Sequence, residues 1–284
     1  MKKLLVFGAS GQLGRILLEE AKAQTDWRVF AYTRSQLDIT DQEALEDAFA
    51  EVRPDFCINC AAYTAVDRAE HEADKAMLVN GTSAGRLASL ARQYNCAFLH
   101  YSTDYVYANT YNRPLLETDT TGPSNAYAES KLAGEQAILD AYSEASFIIR
   151  TGWVYSEYGH NFVLSMLRLG REREQLRVVY DQIGGPTYAR DLARASLSLL
   201  QSEAEPGLYN YANAGATSWY DFCLAIHELA GIETCAVSPI TSDGYPSPAK
   251  RPHYSVLNTH KIVSASGQLP RHWRMALKEC MDRM

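Results

Sequence analysis

The first fourteen residues restrict this chain to a few folds. An apolar run, Leu4-Leu5-Val6-Phe7, stops at Gly8-Ala9-Ser10-Gly11-Gln12-Leu13-Gly14, and an amphipathic pattern begins inside that segment and continues to Ala23. The run has strand length and the pattern has helical period, so the glycines occupy a strand-to-helix turn. Glycines at such a turn permit unusual backbone angles and let the main chain approach a pyrophosphate. The free amides and the positive dipole end of the helix then favour that anion. Gly8, Gly11 and Gly14 are therefore candidate cofactor-binding positions.

The rhythm set at the turn continues through the first half. Leu4–Phe7, Val29–Tyr32, Phe56–Asn59, Ala97–Tyr101 and Phe147–Ile149 are short apolar runs, and helical patterns lie between them at Leu13–Ala23, Glu43–Val52, Ser83–Tyr94 and Tyr127–Ala141. Alternation of this kind predicts an α/β fold, a Rossmann-like doubly wound parallel sheet with helices on both faces. From about Trp153 the rhythm is irregular. Helical stretches at Phe162–Glu172, Asp191–Leu200, Trp219–Ala230 and His272–Met281 are separated by segments such as Ile183-Gly184-Gly185-Pro186. The expected organisation is a nucleotide-binding domain over 1–152 and a smaller, mixed, predominantly substrate-binding domain over 153–284. No flexible linker separates the two, and some segments of the second are expected to return to the first.

Composition excludes several partners. Lys and Arg total 27 against 34 acidic residues, a net charge of −7, which is a poor footprint for nucleic acid. No apolar run approaches the roughly 20 residues needed to cross a bilayer. The apolar run at the amino terminus is too short for a signal peptide, so a cytoplasmic location is expected. Cys57 and Cys60 have CxxC spacing, but they lie on an apolar strand with no second pair, so the six cysteines read as buried thiols.

The chemistry is carried by Thr103, Tyr127 and Lys131. Thr103 ends the fourth strand, where ligands bind in open α/β sheets, and its hydroxyl can hydrogen-bond a carbonyl about to become an alkoxide. Tyr127 and Lys131 are four apart on one helical face. Free tyrosine has a pKa near 10, and a neighbouring ammonium is expected to lower it toward a working value. The spacing GxxGxxG, together with YxxxK, resembles the short-chain dehydrogenases.

Longer blocks narrow the resemblance. Asn59-Cys60-Ala61-Ala62-Tyr63-Thr64-Ala65-Val66-Asp67-Arg68-Ala69-Glu70, Ser102-Thr103-Asp104-Tyr105-Val106-Tyr107, Arg150-Thr151-Gly152-Trp153-Val154-Tyr155, Asp181-Gln182-Ile183-Gly184-Gly185-Pro186-Thr187-Tyr188-Ala189 and Arg251-Pro252 resemble the dTDP-4-dehydrorhamnose reductase family over essentially the whole chain. That resemblance implies reduction of the 4-keto group of a nucleotide-linked deoxysugar. It implies that Thr103, Tyr127 and Lys131 are catalytic, with Lys131 also holding the cofactor ribose. Gly11, Gln12 and Leu13 would contact the cofactor pyrophosphate, Asp38 and Ile39 would flank the adenine, and Ala61, Ala62 and Tyr63 would line the cofactor cleft. Asp104 and Trp153 would contact the sugar nucleotide, with Val66, Asp67 and Arg251 also in its pocket. A monomer or weak homodimer is expected, since Arg15 and Arg190 stand where some members place magnesium-binding glutamates at a dimer contact. Two arginines cannot ligate a hard cation, so no metal is expected. Ala128 follows Tyr127 where glycine is common.

The end of the second strand addresses the cofactor's phosphate. Ala31-Tyr32-Thr33-Arg34-Ser35 offers no acid before Asp38, so the carboxylate that would hold an NAD ribose is missing. Arg34 with Thr33 and Ser35 suits a 2′-phosphate, and NADPH is expected over NADH, with NADH still usable. Two other readings stay open. One is an epimerase or dehydratase acting on another nucleotide sugar, although Tyr105 stands where a dehydratase would carry glutamate. The other is a non-catalytic regulatory subunit resembling that of methionine adenosyltransferase.

Overall fold

Leu4, Leu5, Val6 and Phe7 have no solvent exposure at all, so the first strand is buried on both faces and must sit inside a sheet covered by helices. The computed structural model describes residues 1–24, 26–108 and 110–284 and shows that arrangement. In chain order the first half runs β1 (Lys2–Phe7), α1 (Gln12–Lys22), β2 (Trp27–Tyr32), α2 (Gln42–Val52), β3 (Phe56–Asn59), α3 (Val66–Ala69) and α4 (Ala73–Ala76). A π-helical turn over Met77–Thr82 leads into α5 (Ser83–Gln93), followed by β4 (Ala97–Thr103), α6 (Ala126–Tyr142) and β5 (Ser146–Thr151). The second half contains β6 (Val154–Tyr155), α7 (Phe162–Glu172), β7 (Gln175–Val179), β8 (Ile183–Gly184), β9 (Thr187–Tyr188) and α8 (Ala189–Gln201). It ends with β10 (Gly207–Asn210), β11 (Thr217–Ser218), α9 (Trp219–Ala230), β12 (Ala236–Ile240), α10 (His260–Ser266) and α11 (Trp273–Asp282).

Six parallel strands form the main sheet in the order β2-β1-β3-β4-β5-β10. The chain leaves β1 toward β2 on one side and reaches β3 on the other, so the order reverses between β1 and β3. Ligands of open α/β sheets bind at the carboxyl ends of the strands beside such a reversal. In the register there, Phe7 pairs with Asn59, and Asn59 with His100. One face is sealed by Ile16 and Leu17 of α1, Leu192 and Leu199 of α8 and Ile262 of α10. Leu45 and Phe49 of α2, Leu87 of α5 and Ile138 of α6 seal the other.

The second half supplies β10, α8 and α10 to this layered body. Its remaining elements gather around a separate core of Tyr155, Val163, Tyr188, Phe222 and Trp273. They pair only in twos, β6 with β9, β7 with β12 and β8 with β11. The patterned helices fall within a residue or two of their expected bounds. The short helices between Val66 and Thr82 and the strand β12 carry no clean pattern, whereas β7 alternates exposed Gln175 and Arg177 with buried Leu176 and Val178. β12 is exposed or half-buried throughout, so burial imposes no alternation on it.

Among the described residues no helix is long and apolar enough to cross a membrane. All six cysteines are free, five of them buried and Cys60 half-buried.

Candidate active site

The glycine turn is built by close backbone approach. Gly8 has φ +77°, and a Cβ there would lie 2.5 Å from the Ala61 amide nitrogen. A Cβ on Gly14 would lie 2.2 Å from the Gly8 carbonyl oxygen. Only glycine fits either position, and Gly11 then caps α1 without a side chain, leaving the helix amides open to an anion. This cradle fits the pyrophosphate of a dinucleotide. It opens into a cleft of about 360 Å³ lined by Gly8, Gly11, Arg34, Asp38, Ile39, Ala61, Ala62 and Tyr63. The structure thus brings together most of the cofactor positions expected from sequence. Gln12 reaches across instead to the second half, where its amide contacts the Val154 carbonyl at 3.3 Å and the Ser156 hydroxyl at 3.3 Å. Leu13 packs against the core beneath.

At the adenosine end, Arg34 Nε lies 3.2 Å from Asp38 Oδ2, while Asp38 Oδ1 accepts from the Thr40 amide and hydroxyl. The Asp38 carboxylate is therefore engaged. Burial raises its pKa, and the Thr40 and Arg34 contacts outweigh that to leave it below the ordinary value. The Thr33 hydroxyl is turned to Ser35 and Gln36. Arg68, which stands in the Asn59–Glu70 block without an expected role there, and Lys75, which no motif marks, line the same cleft.

Thr103 stands at the end of β4, and Tyr127 is the second residue of α6. The helix start is fixed by Asn125, whose side chain accepts from the Ala128 amide and donates to the Lys250 carbonyl at 2.8 Å. The Thr103 hydroxyl lies beside the Tyr127 phenol. The Thr103 hydroxyl also lies 3.1 Å from Asp104 Oδ1. Burial pushes the Tyr127 phenol up to about 12, with the Thr103 bond opposing and Asp104 adding to it. Tyr127 thus lies above its ordinary value, contrary to the lowering expected from YxxxK. Lys131 Nζ is turned into the sheet, 3.0 Å from His100 Nε2 and 2.5 Å from the Tyr101 carbonyl oxygen.

Asp104 is buried, and burial raises its carboxyl to about 6 against hydrogen bonds from Ser255 and Thr103. Gly152 is required beside it, because a Cβ there would lie 2.5 Å from the carboxylate carbon. The next residue, Trp153, has φ +51°, a backbone state that costs a non-glycine residue about 1–2 kcal/mol. Its indole stacks on Trp219 with centroids 3.4 Å apart and planes 7° from parallel. Trp219 carried no sequence signal beyond opening a helix, and the stack appears only in three dimensions.

Asp67 and Arg251, both expected in the sugar pocket, meet as an ion pair of 2.8 Å. Ser247 donates to Asp67 at 2.7 Å and also contacts the Arg251 guanidinium. Burial raises the Asp67 carboxyl, and Arg251 and Ser247 outweigh it to hold it below the ordinary value. Val66 opens α3 directly beside this pair. Arg251 is thus partly neutralised by Asp67.

Arg190 is nearly buried among Glu19, Glu20 and Glu157 at 2.8, 2.7 and 2.5 Å. Its guanidinium occupies the centre of that acidic group. Among the described residues no cluster of three or more histidine, cysteine or carboxylate side chains could hold a metal ion.

A doubly wound sheet, a glycine cradle at its reversal and Thr103, Tyr127 and Lys131 at the adjoining strand end define the extended short-chain dehydrogenase class. The family model described as RmlD substrate binding domain matches residues 1–284. The chain is 42% identical to the spore coat polysaccharide biosynthesis protein SpsK of Bacillus subtilis (strain 168), over 99% of this chain and 98% of that one. It is 41% identical to the dTDP-4-dehydrorhamnose reductase of Mycolicibacterium smegmatis, over 99% and 85%. The crystal structure of the dTDP-4-dehydrorhamnose reductase of Bacillus anthracis str. Ames in complex with NADP matches with a TM-score of 0.95 at 34% identity, covering 100% of this chain and 99% of that one. The chain belongs to the dTDP-4-dehydrorhamnose reductase family.

Proposed function

We propose that this enzyme reduces the 4-keto group of dTDP-4-dehydro-L-rhamnose to give dTDP-L-rhamnose, with NADPH as reductant. The observation that supports the reading is Thr103 beside Tyr127 at the carboxyl end of β4, on the same edge of the sheet as the glycine turn, in a chain of this family. NADPH, when bound, supplies the hydride to the C4 carbonyl carbon. Gly8, Gly11, Gln12, Leu13 and Gly14 would hold its pyrophosphate through their main chain, the Gln12 and Leu13 side chains being turned away, while Ala61, Ala62 and Tyr63 would line its cleft and Arg34 would face its 2′-phosphate. Tyr127 gives its phenolic proton to the C4 oxygen, a role worth about 10²–10⁴-fold in rate. Thr103 turns its hydroxyl from Asp104 to that oxygen and donates to the developing charge. Lys131, as an ammonium, stabilises the phenolate left on Tyr127 and holds the ribose. Trp153 offers a rigid apolar face to the sugar, while Val66, Asp67 and Asp104 shape its pocket. The Arg251 donors not used by Asp67 meet the substrate phosphates.

The test follows absorbance at the reduced-nicotinamide band, with dTDP-4-dehydro-L-rhamnose generated in situ. NADPH consumption that depends on this sugar is expected, with dTDP-L-rhamnose as product. A chain that binds NADPH yet never consumes it with this sugar would overturn the assignment.

A further inference from the structure

Lys131 is held by a chain of hydrogen bonds whose polarity can be read from end to end. The Asn59 side-chain oxygen lies 2.9 Å from the Ala61 amide nitrogen. A backbone N–H only donates, so this atom is the amide carbonyl oxygen and the Asn59 NH2 faces His100. That NH2 lies 3.1 Å from His100 Nδ1 and donates to it, so Nδ1 carries a lone pair. Burial holds the His100 imidazole well below its ordinary pKa, and an ammonium on Lys131 would press it the same way. The ring is therefore neutral, with its one proton on Nε2.

The Nε2–H points at Lys131 Nζ, 3.0 Å away. An ammonium has three donors and no lone pair, so it would set donor against donor. A neutral amine resolves the conflict by accepting from His100 and donating to the Tyr101 carbonyl at 2.5 Å. Nothing else nearby restores the charge. Glu135, one turn further along α6, is bound to Arg150 of β5 through bonds of 2.9 and 2.6 Å. Tyr127, on the same helix, is neutral because burial raises its phenol, and Asn59 carries no charge. Burial of Lys131 takes its own pKa down to about 8, against a weaker opposing pull from Glu135.

We propose that His100, oriented by Asn59, is a positioning residue that favours the neutral amine of Lys131 in the cofactor-free enzyme, and that NADPH binding turns Lys131 toward the cleft as an ammonium. The inference rests on the cofactor role given to Lys131 above. In that turn, Nζ gains one proton from solvent and the Nε2–H···Nζ hydrogen bond breaks, while His100 keeps its own proton. Because Asn59 also holds the Ala61 amide, a residue of the cofactor cleft is tied directly to this latch. With the cofactor in place, Lys131 is turned from the sheet toward Tyr127 as an ammonium and can stabilise the phenolate.

The experiment is calorimetric titration of the whole enzyme with NADPH, without sugar substrate, in buffers of different ionisation enthalpy. For a group titrating near pH 8, proton uptake on binding is expected to rise from about a tenth of a proton at pH 7 to nearly one at pH 9. The Kd should weaken by about tenfold per pH unit above 8. His100→Leu removes the donor that favours the neutral amine, so the uptake curve should move about one pH unit upward, in line with the loss of one hydrogen bond. His100→Gln, which keeps a donor toward Nζ, should leave the curve close to wild type. NADPH binding without proton uptake at pH 9, or an uptake curve that His100→Leu leaves in place, would overturn the proposal while leaving the reductase reading intact. Failure of the wild-type enzyme to bind NADPH would overturn both. If His100→Leu does not fold, wild-type uptake and His100→Gln decide the question.

Discussion

The two halves of this molecule solve the problem of holding a ligand in different ways. In the first half the ligand edge is mainly main chain: glycines, helix amides and strand ends, fixed by a continuous parallel sheet whose central strands are buried. In the second half the corresponding surface is made of side chains that hold one another. Trp153 rests on Trp219, and Gln182 accepts from the Trp219 indole at 3.2 Å and donates to Ser242 at 3.0 Å. The Arg251–Asp67 pair crosses from one half to the other. The difference fits the two ligands. A dinucleotide pyrophosphate is the same in every enzyme that binds it and is met by backbone that sequence drift hardly alters. A sugar must be told from other sugars, and side chains can be exchanged to do so.

If that contrast is real, substitutions in the two halves should separate in their effects. The largest effect belongs to the residue between them. Tyr127→Phe should lower kcat by about 10²–10⁴-fold while NADPH affinity and unfolding stay near wild type. Turnover equal to wild type would remove Tyr127 as proton donor. In the first half, Glu135→Ala leaves Arg150 buried without its partner, since both side chains are 3% exposed. A broken buried pair of this kind costs about 3–5 kcal/mol, to be read from denaturant unfolding, and a loss below about 1 kcal/mol would show that the layered body is less rigid than its burial implies.

Trp219→Ala should act on the other side of the contrast. Losing the stacked partner of Trp153, worth about 0.5–1.5 kcal/mol beyond area burial, should raise KM for the sugar nucleotide several-fold. NADPH Kd should not move, and an equal change in both would mean that the two surfaces are not separate. The smallest effect is expected at Arg34, which is 74% exposed and already paired with Asp38. Arg34→Ala should lower the NADPH-to-NADH ratio of kcat/KM by about twofold, the scale of one exposed charge pair of about 0.5 kcal/mol. A ratio that stays put would pass the selection to Arg68 and Lys75 on the same cleft.

What the sequence determined by itself is the part governed by local rules. The strands β1, β3 and β4 are apolar because both their faces are buried, and the helices α1, α2, α5 and α6 have one face to bury, so period and turn chemistry mark them. The glycine turn is legible for the same reason, since Gly8 and Gly14 sit where no Cβ fits. Thr103, Tyr127 and Lys131 could be read because one lies at a strand end and the others are spaced by a helical turn. His100 left a weaker trace, a polar residue between Leu99 and Tyr101 in a buried strand.

Tertiary structure alone decided the rest. The Trp153–Trp219 stack joins residues 66 positions apart, and Arg251 meets Asp67 across 184. Whether Lys131 faces Tyr127 or the sheet depends on a histidine from another element and on the amide that orients it. Such contacts have no period, and their energy comes from desolvated partners that meet only once the sheet and its helices have formed.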